Sequence, residues 1–190
     1  MVCPQVPNEQ GITNNQTAPL VYLDQNELYL PSDLQAQLNN TYPALNFTSL
    51  LNSPKLQADV PSPLLLSDLE QINVLGSCDL NHFDDCPLYL TSKDNVTANP
   101  PWLYGVLPDL VTGETVDAKS CAVIVNDHGD GLVDAYYMYF YAFNLGETVF
   151  GTVLGNHVGD WEHSMVRFQD GLPISVWLSQ HDVSLYIHAN

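Results

Sequence analysis

The chain has 190 residues, 45% of them hydrophobic and 14% charged, with 22 Asp and Glu against four Lys and Arg. The formal charge of −18 argues against nucleic acid as a partner, because phosphates must be met by basic side chains. It argues equally against simple electrostatic docking on anionic lipid. Cations, neutral glycans or a basic partner are favoured instead, and the acids are spread along the chain as a solvated surface.

This length suffices for one domain with a sizeable core. No apolar run reaches the roughly 18–20 residues of a membrane-spanning helix. Residues 1–18, rich in Pro, Asn, Gln and Thr, read as an irregular lead-in to a single domain over 19–190. Met1-Val-Cys-Pro-Gln has neither the basic segment nor the apolar core of a signal peptide, so a leader is expected to have been removed or to lie upstream.

Leu20-Val-Tyr-Leu-Asp predicts a short strand. Pro31-Ser32-Asp33 predicts a helix start capped by Ser32 or Asp33, and Leu34 and Leu38 give that helix one apolar face as far as Asn40. Residues 41–75 show no clear period beyond a helical turn or two at 67–73. The region 76–120 is rich in loops. Pro100, Pro101 and Pro108 exclude a central strand there, and 101–105 reads as an extended segment anchored by its aromatics.

Sequons at Asn15, Asn39, Asn46 and Asn95 point to the secretory pathway as a glycoprotein, secreted or vacuolar. The four cysteines fit that compartment. Cys78 and Cys86 bracket a short polar loop and are expected to form a disulfide, leaving Cys3 and Cys121 by elimination. Cys78, His82 and Cys86 match no common zinc spacing.

From Cys121 the pattern sharpens. Residues 121–126 predict a buried strand, Asp130-Gly131 a hairpin turn, and 133–143 a strand apolar on both faces. A glycine-rich connection over 146–155 follows, then strands over 162–169 and 174–180, with a turn at Asp170-Gly171. Short Gly/Asp turns between consecutive strands predict an all-β, antiparallel β-sandwich with short N-terminal helices and long loops. Asp127, His128, Asp130 and Asp134 lack EF-hand spacing and read as polar corners of a hairpin. Tyr136 to Tyr141 reads as core rather than as a glycan platform. Arg167 is expected to pair with a carboxylate, and Trp161 to pack beside its acidic neighbours.

The stretch Gly155-Asn-His-Val-Gly-Asp-Trp-Glu-His163 concentrates the capable side chains. On a strand, Asp160 and Glu162 share a face, and the glycines permit the loop carrying His157 to fold back over them. Two carboxylates and an imidazole suit a divalent cation. Solvated edge charges beside a core Trp161 are the plainer reading of the same residues. One nitrogen and several oxygens favour Mg²⁺, Ca²⁺ or Mn²⁺ over Zn²⁺. His163 alternates to the opposite face and reads as a core histidine, whereas His181, just after a strand, is a further candidate for the site. No nucleophile elbow, phosphate loop or nucleotide fingerprint is present, so a metal-dependent hydrolase would rest on the cation alone. A binding role is preferred.

Val125-Asn-Asp-His-Gly, Tyr137-Met-Tyr-Phe-Tyr-Ala-Phe-Asn, Gly155-Asn-His-Val-Gly-Asp-Trp-Glu-His and Trp177-Leu-Ser-Gln-His together resemble the fungal vacuolar protein sorting-associated protein 62 family over about residues 18–181. That resemblance implies a role in vacuolar protein delivery and no established activity. The Gly-Asn-His-Val-Gly-Asp-Trp-Glu run is also distantly similar to the heptapeptide of necrosis- and ethylene-inducing-like proteins. Those are secreted β-sandwiches with a divalent cation beside a lipid-glycan cavity. This second likeness implies His157, Asp160 and Glu162 as cation ligands, a glycan or lipid head group as partner, and a further ligand near Asn144 or Glu147. In the nearer family the Ser-Gln-His strand has a long continuation. Here Ile187-His-Ala-Asn follows almost at once, so a shortened chain with open sheet edges is expected.

Overall fold

A computed structural model describes residues 19–45, 48–49, 61–69, 88–180 and 183–188. They form two compact units, one within 34–103 and the other from the residues before 34 and after 103. No described helix is long and apolar enough to cross a membrane.

Within 34–103 lie α1 (Leu34–Asn40), β1 (Thr41–Leu45), β2 (Thr48–Ser49) and β3 (Leu88–Ser92). The helix starts just after Asp33 and ends at Asn40, as its leucines predict, while Asp33 Oδ1 accepts from Lys119 N at 2.9 Å. Leu38 is buried with Leu64, and Leu66, Leu69 and Leu88 pack against them. The strands run antiparallel in the order β2–β1–β3, in a region whose sequence shows no strand period. Pro43 sits in the middle strand and is tolerated there, because β2 pairs with Ala44 and Leu45 alone and leaves Pro43 only β3 as a neighbour. A 3₁₀ turn at Leu66–Asp68 overlaps the start of the helical segment expected over 67–73, of which 70–73 lie outside the described residues. Pro101–Tyr104 is also 3₁₀, not extended. Proline fixes φ near −65°, which the first turn of a helix accepts, and Trp102 Nε1 donates to Asp94 Oδ2 at 2.9 Å.

The second unit is built on β4 (Cys121–Gly129), β5 (Leu132–Asn144), β6 (Glu147–Val149), β7 (Thr152–Leu154), β8 (His157–Gln169), β9 (Leu172–Gln180) and β10 (Val183–His188). Five of these strands form an antiparallel sheet in the order β10–β9–β8–β5–β4, and β6 pairs with β7 as a separate hairpin. The chain is therefore all-β and sandwich-like in class, with one short α-helix among the described residues. The glycine-rich connection proves to be the β6–β7 hairpin, and β10 is a strand the sequence pattern did not announce. Asp130-Gly131 and Asp170-Gly171 turn with φ of +51° and +75°, and +51° and +80°. Both central residues are left-handed, as the two-residue hairpin turn requires.

One sheet face buries Ala135, Tyr137, Tyr139, Val166 and Phe168. The tyrosine-rich strand is thus core, and the Tyr139 hydroxyl meets Ser164 Oγ at 3.2 Å. Residues 21–24 join no strand, contrary to expectation. Val21 packs on this core, while Leu20 and Tyr22 are exposed. The place beside β5 beyond the start of β4 is taken by 31–32. There Phe140 N donates to Ser120 O, Ser32 N donates to Phe140 O, and Pro31 bridges Tyr141.

The opposite face holds an ionic group. Asp134, 2% exposed, accepts from Arg167 Nε and Nη2, each at 2.7 Å, across β5 and β8. A bulge between Asp127 and Gly129 brings His128 Nε2 to 2.8 Å from Asp134 Oδ2. The pairing expected of Arg167 is present. Asp130 is a hairpin corner as expected, whereas Asp134 lies inside β5 as a buried ion-pair partner that also binds His128. Cys121 is not a free thiol. Cys3, Cys78, Cys86, Asn15, Asn46 and His181 lie outside the described residues.

The Arg167 guanidinium, then His128, hold the Asp134 carboxyl at about 2, below its ordinary 3.8, against the opposing effect of burial. A depressed carboxyl stabilises the fold fully above its unfolded value and loses that contribution as pH falls through the folded one. Arg167→Met is expected to cost about 3 kcal/mol in urea denaturation at pH 7, because it strands a buried charge. The gap between wild type and variant should close as pH falls from 3.8 towards 2. A gap unchanged over that range would show that Arg167 acts by packing alone.

Candidate functional site

At the far end of the β5–β8 ladder from Asp134, a cleft of about 360 Å³ opens between residues 23–29 and the strand ends. Asp160 and Glu162 line it, together with Glu27, Tyr29, Tyr141 and Asn144. The two carboxylates share a face, as strand alternation demands. Tyr141 pairs with Asp160 across the ladder, and Tyr139 with Glu162.

The position of His157 is the main correction. It is the first residue of β8, opposite Asn144, not part of a preceding loop. Strict alternation would send its side chain to the face away from Asp160. Gly159 lies between them at φ +77°, a left-handed backbone that glycine adopts without penalty. That turn accompanies the approach of His157 Nε2 to 3.3 Å from Asp160 Oδ1. The other ring nitrogen, Nδ1, lies 2.8 Å from Gly155 O. A carbonyl can only accept, so Nδ1 carries the proton and donates. In the neutral ring Nε2 then presents its lone pair to the carboxylate, and two acceptors face each other unless a proton or a cation stands between them. The His157 pKa is accordingly raised from its ordinary 6.5, first by the Gly155 carbonyl and then, against some burial, by Asp160 and Glu162.

Other expected residues scatter. Glu162 lines the cleft without joining the His157–Asp160 pair. Among the described residues no three His, Cys, Asp or Glu side chains gather closely enough to hold one ion. His163 is on the opposite face, its ring 4.9 Å from that of Trp177, and Ser179 Oγ donates to its carbonyl. Glu147 is exposed on β6. Asn144 is a cleft residue whose Nδ2 donates to Gly155 O at 3.3 Å. Trp161 packs on Phe140 with ring centroids 5.0 Å apart and stays partly exposed.

Two cleft residues escaped the sequence reading. Glu27 is held by the Tyr29 amide, which donates to its Oε1 at 2.9 Å. Tyr141 has its phenol pushed up to about 12, by burial first and then by Glu162, Glu27 and Asp160. Nothing near Glu27 in the chain signals this, because its neighbours arrive from strands more than a hundred positions later. Of the sequons, Asn39 and Asn95 are exposed. Asn95 Oδ1 accepts from the Thr97 amide and hydroxyl, whereas Thr41 is buried with its hydroxyl on Gln37 O.

Comparison with known proteins brings out two relatives in Saccharomyces cerevisiae. The chain is 36% identical over 167 residues to TDA6, provisionally named a vacuolar protein sorting-associated protein, covering 86% of this chain and 34% of that protein. It is 47% identical over 94 residues to vacuolar protein sorting-associated protein 62, covering 49% of this chain and 20% of that one. The chain belongs to the vacuolar protein sorting-associated protein 62 family. It spans about a third of the length of the first relative and a fifth of the second. No family model matches it, and no solved structure does.

A histidine with a raised pKa stabilises the folded state below its unfolded value, and that contribution disappears as pH rises through the folded value. In cation-free protein, NMR titration is expected to place His157 above 6.5 and to bring it down in Asp160→Asn. The variant should also lose part of the decline in stability that wild type shows as pH rises past 6.5. An unchanged His157 titration in Asp160→Asn would mean that the Gly155 carbonyl alone sets it.

Proposed function

We propose that this chain is part of a protein acting in vacuolar protein sorting, in the secretory or vacuolar pathway, by binding rather than by catalysis. We further propose that His157, Asp160 and Glu162 hold a divalent cation at the cleft. The pathway is supported by what the two yeast relatives are named for. The observation that carries the cation is the His157–Asp160 pair. Nδ1 is tied to a backbone carbonyl, and Nε2 is aimed at a carboxylate oxygen 3.3 Å away. A histidine fixed by its second nitrogen in this way is set up to ligate through the first.

The chemistry of the donors suits the proposal, one imidazole nitrogen beside Asp160 with Glu162 on the same cleft face, and Glu162 would have to close on the His157–Asp160 pair to complete the set. Such a set suits Mg²⁺, Ca²⁺ or Mn²⁺ better than Zn²⁺. A bound cation would neutralise the carboxylates and offer vacant positions to an oxygen-bearing ligand such as a glycan hydroxyl or a lipid head group.

Thermal unfolding in EDTA, then with each cation, tests this reading. A ligand selective for the folded state at about a hundred times its dissociation constant adds roughly 2.7 kcal/mol, which moves Tm by several degrees in a domain of this size. One cation is expected to raise Tm in wild type and to leave Asp160→Ala unmoved. A cooperative melt indifferent to every cation would refute the site.

A further inference from the structure

The three hairpin turns 130–131, 150–151 and 170–171 have nearly the same backbone, with φ of +51° and +75°, +50° and +80°, and +51° and +80°. Two are built from Asp-Gly, the residues this turn prefers. The third is Phe150-Gly151. A phenylalanine in the left-handed region is strained, and this one is 104% exposed. No described ring or hydrogen-bond partner compensates it within the chain. Local folding would be served better by Asp or Asn at this position, so the phenyl ring serves something outside the chain.

The hairpin that carries it is itself unsupported. All six residues of β6 and β7 are exposed, and among the described residues they pair only with each other. Its base is fixed: Gly146 N donates to Asn156 Oδ1 at 2.7 Å, and a Cβ at Gly146 would lie 1.7 Å from Leu154 O. Val149 beside Phe150, Val153 in the facing strand, and Leu145 and Leu154 at the base of the hairpin are each 40–54% exposed. Residues 145–155 carry one charge, Glu147, in a chain of net −18.

We infer that the β6–β7 hairpin is a membrane-docking finger, whose apolar tip at Phe150 inserts shallowly into the interface of a zwitterionic lipid bilayer. A narrow convex finger tipped by an aromatic ring has the form a bilayer interface accepts. A protein partner would need a pocket to receive so narrow a finger, whereas a bilayer needs none and accepts the flanking Thr148 and Thr152 hydroxyls at its head-group level. The charge selects the lipid. The tip brings no carboxylate to the surface, while the remaining acidic chain is repelled by an anionic leaflet.

The inference does not rest on the cation site, so it is tested in EDTA. Sedimentation with phosphatidylcholine vesicles is expected to show partitioning of the 190-residue chain and at least about a tenfold loss in Phe150→Asn. Asn is favoured in this turn, so the variant should melt no lower than wild type. Phe150→Trp should keep binding, with bromolipid quenching beyond that of the native tryptophans. Replacing part of the phosphatidylcholine with phosphatidylserine should weaken binding. Absence of vesicle binding by wild type, or equal binding by Phe150→Asn, would overturn the inference. So would self-association abolished by Phe150→Asn without any vesicle binding, which would make a second copy the occupant.

Discussion

Asp134 and Arg167 face each other across β5 and β8, and their two 2.7 Å bonds pin the register of the longest ladder in the chain. Slipping β8 by one residue against β5 would turn Val166 and Phe168 out of the core and leave a buried carboxylate alone. Everything else in this unit inherits its place from that register. The bulge at 127–129 seats His128 on the same carboxylate. At the other end, the same pairing sets Tyr141 beside Asp160 and Tyr139 beside Glu162.

The charge balance of the chain gives this end its character. Arg167 is committed inside the sheet, and Lys93 Nζ is bound to Asn39 O. Glu27, Asp160 and Glu162 meet around Tyr141 with their repulsion felt by its phenol, and His157 Nε2 faces Asp160 at 3.3 Å. A cleft of this kind attracts positive charge from solution, which is the physical ground for the cation proposal. The His157–Asp160 geometry gives that proposal a definite place, and Glu162 lines the wall beside it.

The turns show how function can be read against a local rule. Three hairpins share one backbone, and two follow the residue preference that backbone imposes. The departure at Phe150 is informative because the other two supply the comparison within the same chain. An exposed aromatic alone means little. An exposed aromatic holding a left-handed turn on an unsupported hairpin is a cost with no return inside the fold.

Four of the strands from 121 onward, the Asp-Gly turns, the buried tyrosines and the shared face of Asp160 and Glu162 were legible in the sequence, because they depend on alternation and on turn chemistry acting over a few residues; the β6–β7 hairpin and β10 were not. The family was legible too, from the same short runs. Other features depended on contacts between distant segments. β1 and β3 find each other across more than forty positions, so neither shows a period of its own. The expected strand at 20–24 did not form over 21–24, and residues 31–32 take the place beside β5. Glu27 joined the cleft, and His157 turned towards Asp160 across a left-handed Gly159, for reasons no local window contains. The sequence by itself determined the class of fold and the chemistry available to it. Tertiary structure decided which of those groups meet, because that depends on a register held by a buried ion pair and on one glycine that breaks a strand's alternation.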